Sequence, residues 1–195
     1  MKRWIVMTLL LGSLAAAAQQ NPEGLFLKSR APEFRGKDQT GNEISLRDLR
    51  KKGKVVLVFY RGYWCPYCNK ELRRLEDSLQ LIRAKGASLV AITPEQAQGV
   101  TQTIAKTKAD FPILSDQDGK IMRQYDVAFQ VDDKTVTRYK SFDIDLAGNN
   151  NQKPDAVFLP VPAVYIIDQD GNITYRYFEP DYRKRPSVRE ILENL

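Results

Sequence analysis

One stretch of the sequence decides the fold: Val55-Val56-Leu57-Val58-Phe59-Tyr60-Arg61-Gly62-Tyr63-Trp64-Cys65-Pro66-Tyr67-Cys68. Its first six residues are apolar or aromatic and rich in β-branched side chains, which is typical of a central strand buried on both faces. After the second cysteine, large aliphatic residues recur at helical spacing, at Leu72, Leu75, Leu79 and Ile82. The stretch therefore predicts a buried strand followed directly by an amphipathic helix, with two cysteines at the junction.

Cys65 and Cys68 are the only cysteines of the chain. At the N-terminus of a helix, the helix dipole and the unpaired backbone N–H groups stabilise a thiolate, which is the reactive form of cysteine. A purely structural disulfide is the alternative interpretation. Such a bridge would span only two intervening residues, so it would remove little entropy from the unfolded chain. The pattern therefore favours a redox-active dithiol.

The first residues of the chain are typical of a secretion signal. Lys2 and Arg3 precede a mostly apolar stretch at residues 5–14, and four alanines follow at 15–18. An uncleaved transmembrane anchor is the alternative, but the apolar stretch is shorter than the roughly 20 residues that a span needs. We predict a signal peptide at residues 1–18, a polar leader at 19–30, and export to the periplasm or the extracellular space with no stable membrane anchor.

Composition excludes several classes of function. The net charge is +6, but the basic residues are spread along the chain, which is typical of solvated surface and not of a nucleic-acid-binding stripe. The chain has no histidine, which removes Cys–His and Ser–His nucleophile pairs and the commonest metal ligand. A closed zinc site needs four ligands, and one Cys-x-x-Cys pair supplies two. We expect neither a metal nor a cofactor.

Residues 31–195 predict one α/β domain with a mixed central sheet. The order of predicted elements is β-α-β-α-β, then an antiparallel hairpin, then a helix. The hairpin turns at Asp168–Asn172, where a glycine lies in the turn, and the last helix is capped by Ser187. Residues 131–154 are polar and glycine- and asparagine-rich, so we predict an insertion on the surface there.

The segment Phe59–Cys68 resembles the active-site segment of the thioredoxin superfamily. It is most similar to the alkyl hydroperoxide reductase/thiol-specific antioxidant group, the peroxiredoxin-like proteins. Further segments carry the same resemblance: Ala31–Phe34, Ala91–Glu95, Phe111–Asp116 and Arg185–Leu192. The resemblance implies a thioredoxin-like fold, in which a central mixed β-sheet is flanked by helices.

The resemblance also implies roles for three residues. Cys65 resembles the peroxidatic cysteine of peroxiredoxins and the first nucleophile of a thioredoxin dithiol. Cys68 resembles the resolving cysteine. Arg185 resembles the arginine that holds the thiolate and the peroxide, although a surface charge within the cluster Arg183–Arg185 is an equal alternative.

Two positions depart from the family pattern. Peroxiredoxins carry a threonine or serine three residues before the reactive cysteine, where this chain has Gly62. Thioredoxins carry a buried acid on the preceding strand, where this chain has Val58. Pro162 occupies the position of the family's cis-proline, and we predict that Tyr63, Trp64 and Pro162 form an apolar rim that binds substrate.

Two enzymatic functions follow from this resemblance. The first is reduction of a hydroperoxide by Cys65 and Cys68, with regeneration by an external dithiol of the thioredoxin type. The second is thiol–disulfide exchange with exported proteins. The Arg185 segment favours the first, and the Cys-x-x-Cys pair with Gly62 favours the second. A non-enzymatic envelope domain is a third alternative, which the presence of both cysteines disfavours.

Overall fold

The computed structural model describes residues 21–195. The predicted signal peptide at 1–18 and the first residues of the leader lie outside the described residues. In the described range, no helix combines the length and the apolar character needed to cross a lipid bilayer.

A five-stranded mixed sheet forms the centre of the fold, in the order β5-β4-β3-β8-β9. The strands are β3 (Lys54–Phe59), β4 (Ala87–Thr93), β5 (Ile113–Ser115), β8 (Ala163–Ile167) and β9 (Ile173–Phe178). Strands β3, β4 and β5 run parallel, whereas β8 and β9 are antiparallel to their neighbours. The predicted central strand and the terminal hairpin are confirmed, and the sheet has the mixed character that the sequence predicted.

Helices cover both faces of the sheet. On one face lie α2 (Pro66–Asp77), α3 (Leu79–Ala84), α4 (Ala97–Thr107) and α8 (Val188–Glu193). The other face is covered by α1 (Leu46–Lys52) and α5 (Lys120–Gln124). The side chains of β3 alternate between the two layers, so the strand is buried on both sides as predicted. The helix expected after Cys68 is divided at Ser78 into α2 and α3.

The segment predicted as a surface insertion has its own structure. It contains α6 (Asp133–Lys140) and α7 (Leu146–Asn150), and it is flanked by the paired strands β6 (Ala128–Gln130) and β7 (Phe158–Pro160). A small apolar cluster holds it together, formed by Val131, Leu146, Ala147, Val157 and Leu159. Trp64 packs against this cluster, so the insertion reaches the dithiol end of the sheet.

Two local expectations need correction. The segment Ala31–Phe34, which resembles the entry strand of the family, lies before the first strand: β1 is Arg35–Lys37 and pairs with β2 (Glu43–Ser45). No cis peptide bond occurs in residues 21–195, so the cis bond expected before Pro162 is wrong. Pro162 is buried and directly precedes β8.

Candidate active site

The dithiol lies where the sheet meets α2. Cys65 is the N-cap residue of α2, with an extended backbone, and its sulfur accepts a hydrogen bond from the Cys68 amide at 3.4 Å. Pro66 occupies the first helical position, where a backbone N–H would have no partner within the helix. The sequence predicted this arrangement, because a strand, a short turn and a proline-initiated helix leave the first cysteine at the helix N-terminus.

The two thiols contact each other and are ionised to different extents. Both cysteines are reduced, both are 0% exposed, and their sulfurs are 2.7 Å apart. The hydrogen bond from the Cys68 thiol lowers the pKa of Cys65 to about 5, against the opposing effect of burial, and the Arg61 charge lowers it further. Burial and the neighbouring Cys65 sulfur raise the pKa of Cys68. At neutral pH the pair therefore contains a Cys65 thiolate and a Cys68 thiol.

Arg61 supplies the cation at Cys65. Its Nη2 atom donates to the Cys65 sulfur at 3.3 Å, and its Nη1 atom donates to the Tyr139 hydroxyl at 3.2 Å. The guanidinium lies over the ring of Tyr182 at 3.8 Å and near the ring of Trp64 at 5.1 Å. A buried guanidinium held by two rings and a hydroxyl is fixed in direction, so it can stabilise the thiolate without reorganisation. The sequence analysis missed Arg61, although a cation four residues before the reactive cysteine was the available signal.

Arg185 lies on the other side of the dithiol. Its Nη2 atom is 3.4 Å from the Cys68 sulfur, and its Nε atom donates to Glu71 Oε2 at 2.5 Å. It also donates to the carbonyls of Tyr182 and Lys184, so it holds the loop that precedes α8. The predicted role of Arg185 therefore needs correction: it contacts the dithiol through Cys68, and the contact with Cys65 is made by Arg61.

Glu71 provides a buried acid that the sequence analysis did not identify. It lies on α2 one turn after Cys68, and burial raises the pKa of its carboxyl to about 7 despite the nearby Arg185 charge. Its Oε1 atom is buried without a hydrogen-bond partner. The buried acid of thioredoxins lies on the strand, at the position of Val58 here, so the family pattern does not point to Glu71. The spacing of three residues from Cys68 and four from Leu75 placed Glu71 on the buried face.

The predicted rim residues have different positions. Trp64 is partly buried, and its ring meets that of Tyr139 edge-on at a centroid distance of 5.0 Å. Tyr63 is partly buried and points to α4, where the Lys106 ammonium lies 5.0 Å from its ring. Pro162 precedes Ala163, which pairs with Phe59 at the end of β3. Of these three, Trp64 is the residue with a contact to the cation of the site.

Aromatic residues from outside the predicted set lie beside the cation of the site. The rings of Tyr182 and Tyr67 pack edge-on with their centroids 5.8 Å apart. The face of the Tyr182 ring packs against the Arg61 guanidinium. Beside Tyr182 lies a groove of about 340 Å³, lined by Thr135, Arg138, Tyr139, Phe142 and Tyr182. Most of this lining comes from α6 of the insertion. No sequence signal pointed to it, because α6 and Tyr182 are more than 40 residues apart in the sequence.

Comparison with known proteins shows the family to which the chain belongs. The sequence pattern of the AhpC/TSA family matches residues 27–176. The chain belongs to the AhpC/TSA family. It is therefore a thiol-dependent oxidoreductase with a thioredoxin-like fold, as the resemblance implied.

Relatives of both functional kinds occur among the similar proteins. The chain is 27% identical over 170 residues to peroxiredoxin Q of Oryza sativa subsp. japonica, covering 86% of this chain and 66% of that protein. It is 23% identical over 176 residues to the thiol-disulfide oxidoreductase ResA of Bacillus thuringiensis subsp. konkukian, covering 88% of this chain and 83% of that protein. The fold is similar to that of the peroxidoxin BcpB from Mycobacterium tuberculosis. The TM-score is 0.65 and the identity is 22%, with 86% of this chain and 94% of that chain covered.

Proposed function

We propose that this protein reduces hydroperoxides through the Cys65 thiolate, with Cys68 as the resolving thiol. The observation that carries the proposal is the 3.3 Å contact between Arg61 Nη2 and the Cys65 sulfur. A guanidinium at this position stabilises the thiolate and can donate to the peroxide oxygens as negative charge develops on them. It takes the place of the hydroxyl that peroxiredoxins carry at the position of Gly62.

The reaction has two steps on the protein. The Cys65 thiolate attacks one peroxide oxygen, an S–O bond forms, the O–O bond breaks, and the leaving alkoxide takes up a proton. The Cys68 thiol then attacks the sulfenic sulfur, so that an S–S bond forms and the oxygen leaves as water. The Cys68 proton ends on the departing oxygen, either directly or through the Glu71 carboxylate when that group is ionised. The 2.7 Å separation of the sulfurs means that closure requires little movement.

Burial of the dithiol supports a small oxidant. Both cysteines are 0% exposed, and the guanidinium that contacts Cys65 is itself packed against Tyr182 and Trp64, so a reagent must pass between packed side chains to reach the sulfur. A hydroperoxide can do so more easily than a disulfide within a folded partner. We assign the groove beside Tyr182 to the organic part of the hydroperoxide, because its volume falls in the range of small-molecule sites and three of its five lining residues are aromatic.

Thiol–disulfide exchange is the second candidate, favoured by a specific observation. Gly62 lacks the hydroxyl, and its backbone has a φ of 154° that side chains rarely adopt. A Cβ at Gly62 would lie 2.6 Å from Glu95 Oε1, so the threonine of peroxiredoxins does not fit here. In this alternative Cys65 attacks a substrate disulfide and Cys68 releases the mixed disulfide.

The proposal includes export of the protein from the cytoplasm. The signal-like residues 1–18 support removal of a signal peptide and location in the periplasm or the extracellular space. The electrons for the next cycle come from an external dithiol of the thioredoxin type.

Stopped-flow oxidation of the reduced protein by hydrogen peroxide tests the proposal, beside an insulin-reduction assay. The proposal predicts oxidation of Cys65 that is several orders of magnitude faster than that of a free thiol at the same pH. Oxidation no faster than the free thiol, together with efficient insulin reduction, would establish disulfide exchange instead.

A further inference from the structure

A second carboxyl group near the dithiol, besides Glu71, has no role in the steps above. Glu95 follows the C-terminal end of β4 and is 0% exposed. Two glycines leave the space for it. A Cβ at Gly62 would lie 2.6 Å from Glu95 Oε1, and a Cβ at Gly99 on α4 would lie 2.9 Å from the same atom. The carboxyl group therefore occupies a niche that exists only because both neighbouring positions lack a side chain.

Hydrogen bonds fix the Glu95 carboxyl within this niche. Oε1 accepts from the Tyr63 amide at 2.8 Å, and Oε2 accepts from the Thr103 hydroxyl at 3.5 Å. The Thr103 hydroxyl in turn accepts from the Tyr60 hydroxyl at 3.4 Å. Among residues 21–195, no lysine or arginine forms an ion pair with Glu95. The nearest lysine contact is Lys106, whose ammonium bonds the Tyr63 carbonyl at 3.0 Å.

These bonds connect Glu95 to the reactive cysteine. The Gly62 carbonyl accepts a hydrogen bond from the Cys65 amide at 3.0 Å, which closes a tight turn between the two residues. Tyr63, inside this turn, is held by Glu95 through its amide. Arg61 directly precedes this turn, so the turn sets the separation along the backbone between the cation and the Cys65 sulfur.

We propose that Glu95 is a positioning residue for Cys65, and that ionisation of its carboxyl, acting through the Tyr63 amide and by charge, tunes the reactivity of the thiolate. The proposal rests on the assignment of Cys65 as the nucleophile, but it holds for a peroxidase and for a disulfide exchanger alike. A glutamine could keep the Tyr63 bond through its amide oxygen and donate its NH2 group to the Thr103 hydroxyl, without titrating. An acid in this niche therefore adds a charge that depends on pH.

The charges around Glu95 give the direction of the effect. Burial raises the pKa of the Glu95 carboxyl to about 7; hydrogen bonds from Tyr63 and Thr103 and the Lys106 charge lower it, and the Cys65 charge raises it. Tyr60, the other titratable group in contact with this network, has its pKa raised by burial and stays neutral. Between pH about 5 and 7 an ionised Cys65 therefore faces a neutral Glu95. Above that range both are charged, and the sulfur becomes more basic.

A more basic thiolate is a better nucleophile. The rate with a neutral electrophile rises with thiol pKa with a coefficient of about 0.4–0.5, so each unit of added basicity gives about a threefold gain. The rate of Cys65 should therefore rise a second time as pH passes about 7, after the first rise near pH 5. This second rise distinguishes an ionising carboxyl from one that only supports the turn.

The test is the rate of Cys65 alkylation by iodoacetamide as a function of pH, in the parent and in Glu95→Gln and Thr103→Val. The amide oxygen can accept from Tyr63 and the amide NH2 can donate to Thr103, so Glu95→Gln should keep the rise near pH 5 and lose about threefold of the rate gained above pH 7. Thr103→Val removes a bond that stabilises the carboxylate, so it should move the second rise to higher pH. Carbon-13 NMR of labelled glutamate carboxyls should lose one signal that titrates near pH 7 in Glu95→Gln.

Glu71 titrates in the same range, so the difference between variants decides the result. The Glu71 signal is present in all three proteins and cancels in the comparison. A Glu95→Gln profile that superimposes on that of the parent would overturn the proposal, as would a second rise that Thr103→Val does not move. Hydrogen peroxide is used as a parallel electrophile. If peroxide is slow while the iodoacetamide profile behaves as expected, the peroxidase assignment fails and the role of Glu95 stands.

Discussion

Replacing Arg61 by glutamine should separate the two contributions of this residue to catalysis. A charge-assisted hydrogen bond contributes on the order of 1.5–3 kcal/mol, and the Arg61–Cys65 contact at 3.3 Å is of this type. Its loss should raise the pKa of Cys65 by about one to two units from about 5. Near pH 7 the thiolate fraction would then fall by at most about twofold.

Any larger loss near pH 7 must arise in the transition state. If Arg61 also donates to the peroxide oxygens, removal of that donor should slow oxidation by a further ten- to hundredfold or so. Alkylation by iodoacetamide has no comparable charge on oxygen, so its rate near pH 7 should change less than about threefold. Stopped-flow oxidation and alkylation are measured on the same reduced protein, with the Cys65 pKa taken from the ultraviolet absorbance of the thiolate.

Arg61→Lys is the matched control. It keeps the positive charge but loses the planar donor pair that holds both the sulfur and Tyr139, so it should restore much of the pKa and little of the peroxide rate. Thermal melting confirms that each variant is folded. If Arg61→Gln leaves both the pKa and the peroxide rate within about twofold of the parent, the cation at Cys65 has no catalytic role.

Further outcomes follow from the same geometry. Arg185→Gln should leave the first oxidation of Cys65 within about threefold of the parent but slow the following disulfide step by about tenfold, seen as two phases in stopped-flow fluorescence; equal slowing of the first phase would contradict the assignment. Cys68→Ser should trap a sulfenic acid on Cys65, detected by dimedone labelling and mass spectrometry, and labelling elsewhere would reject this order. Phe142→Ser should lower the rate with cumene hydroperoxide about fivefold and leave the rate with hydrogen peroxide unchanged, because Phe142 lines the groove assigned to the organic group. The side chain is 64% exposed, so its replacement should not disturb folding. N-terminal sequencing of the exported protein should begin near Gln19, and a chain beginning at Met1 would favour an anchor.

Local sequence patterns predicted the sheet and the position of the dithiol. The run Val55–Tyr60 is typical of a buried strand, and the period of the aliphatic residues after Cys68 is typical of a helix face. Proline after the first cysteine fixed the helix start. These features depend on neighbours in the chain, so one sequence is enough to recognise them.

Contacts between distant segments were not predictable in the same way. Residues 131–154 are polar in composition, and no local pattern predicts that α6 brings the Tyr139 hydroxyl within 3.2 Å of Arg61 Nη1. Arg185 was correctly expected near the dithiol, but which sulfur it faces depends on the packing of α8 against α2. Glu95 is the clearest case, because its niche requires glycines at positions 62 and 99, which are 37 residues apart in sequence.

The arrangement of charge explains why one cysteine attacks and the other resolves. Each thiol has its own arginine, but Arg61 faces only the Cys65 sulfur, whereas the charge of Arg185 is shared with Glu71. Cys65 therefore ionises first, and Cys68 keeps its proton until the sulfenic acid has formed.

The shifted pKa values also make the stability of the fold depend on pH, because ionisation and folding are linked. The lowered pKa of Cys65 contributes stability that is fully present above its unfolded value of about 9 and is lost as pH falls through about 5. The raised pKa values of Glu71 and Glu95 act in the opposite sense. Their contribution is present below about 4.5 and is lost as pH rises through about 7. Between these limits the thiolate is charged and both acids are largely neutral, so the buried site carries one negative charge opposite two guanidinium groups. In this state the nucleophile is ionised and the two neutral carboxyl groups can donate protons. Both peroxide reduction and disulfide exchange would begin from it.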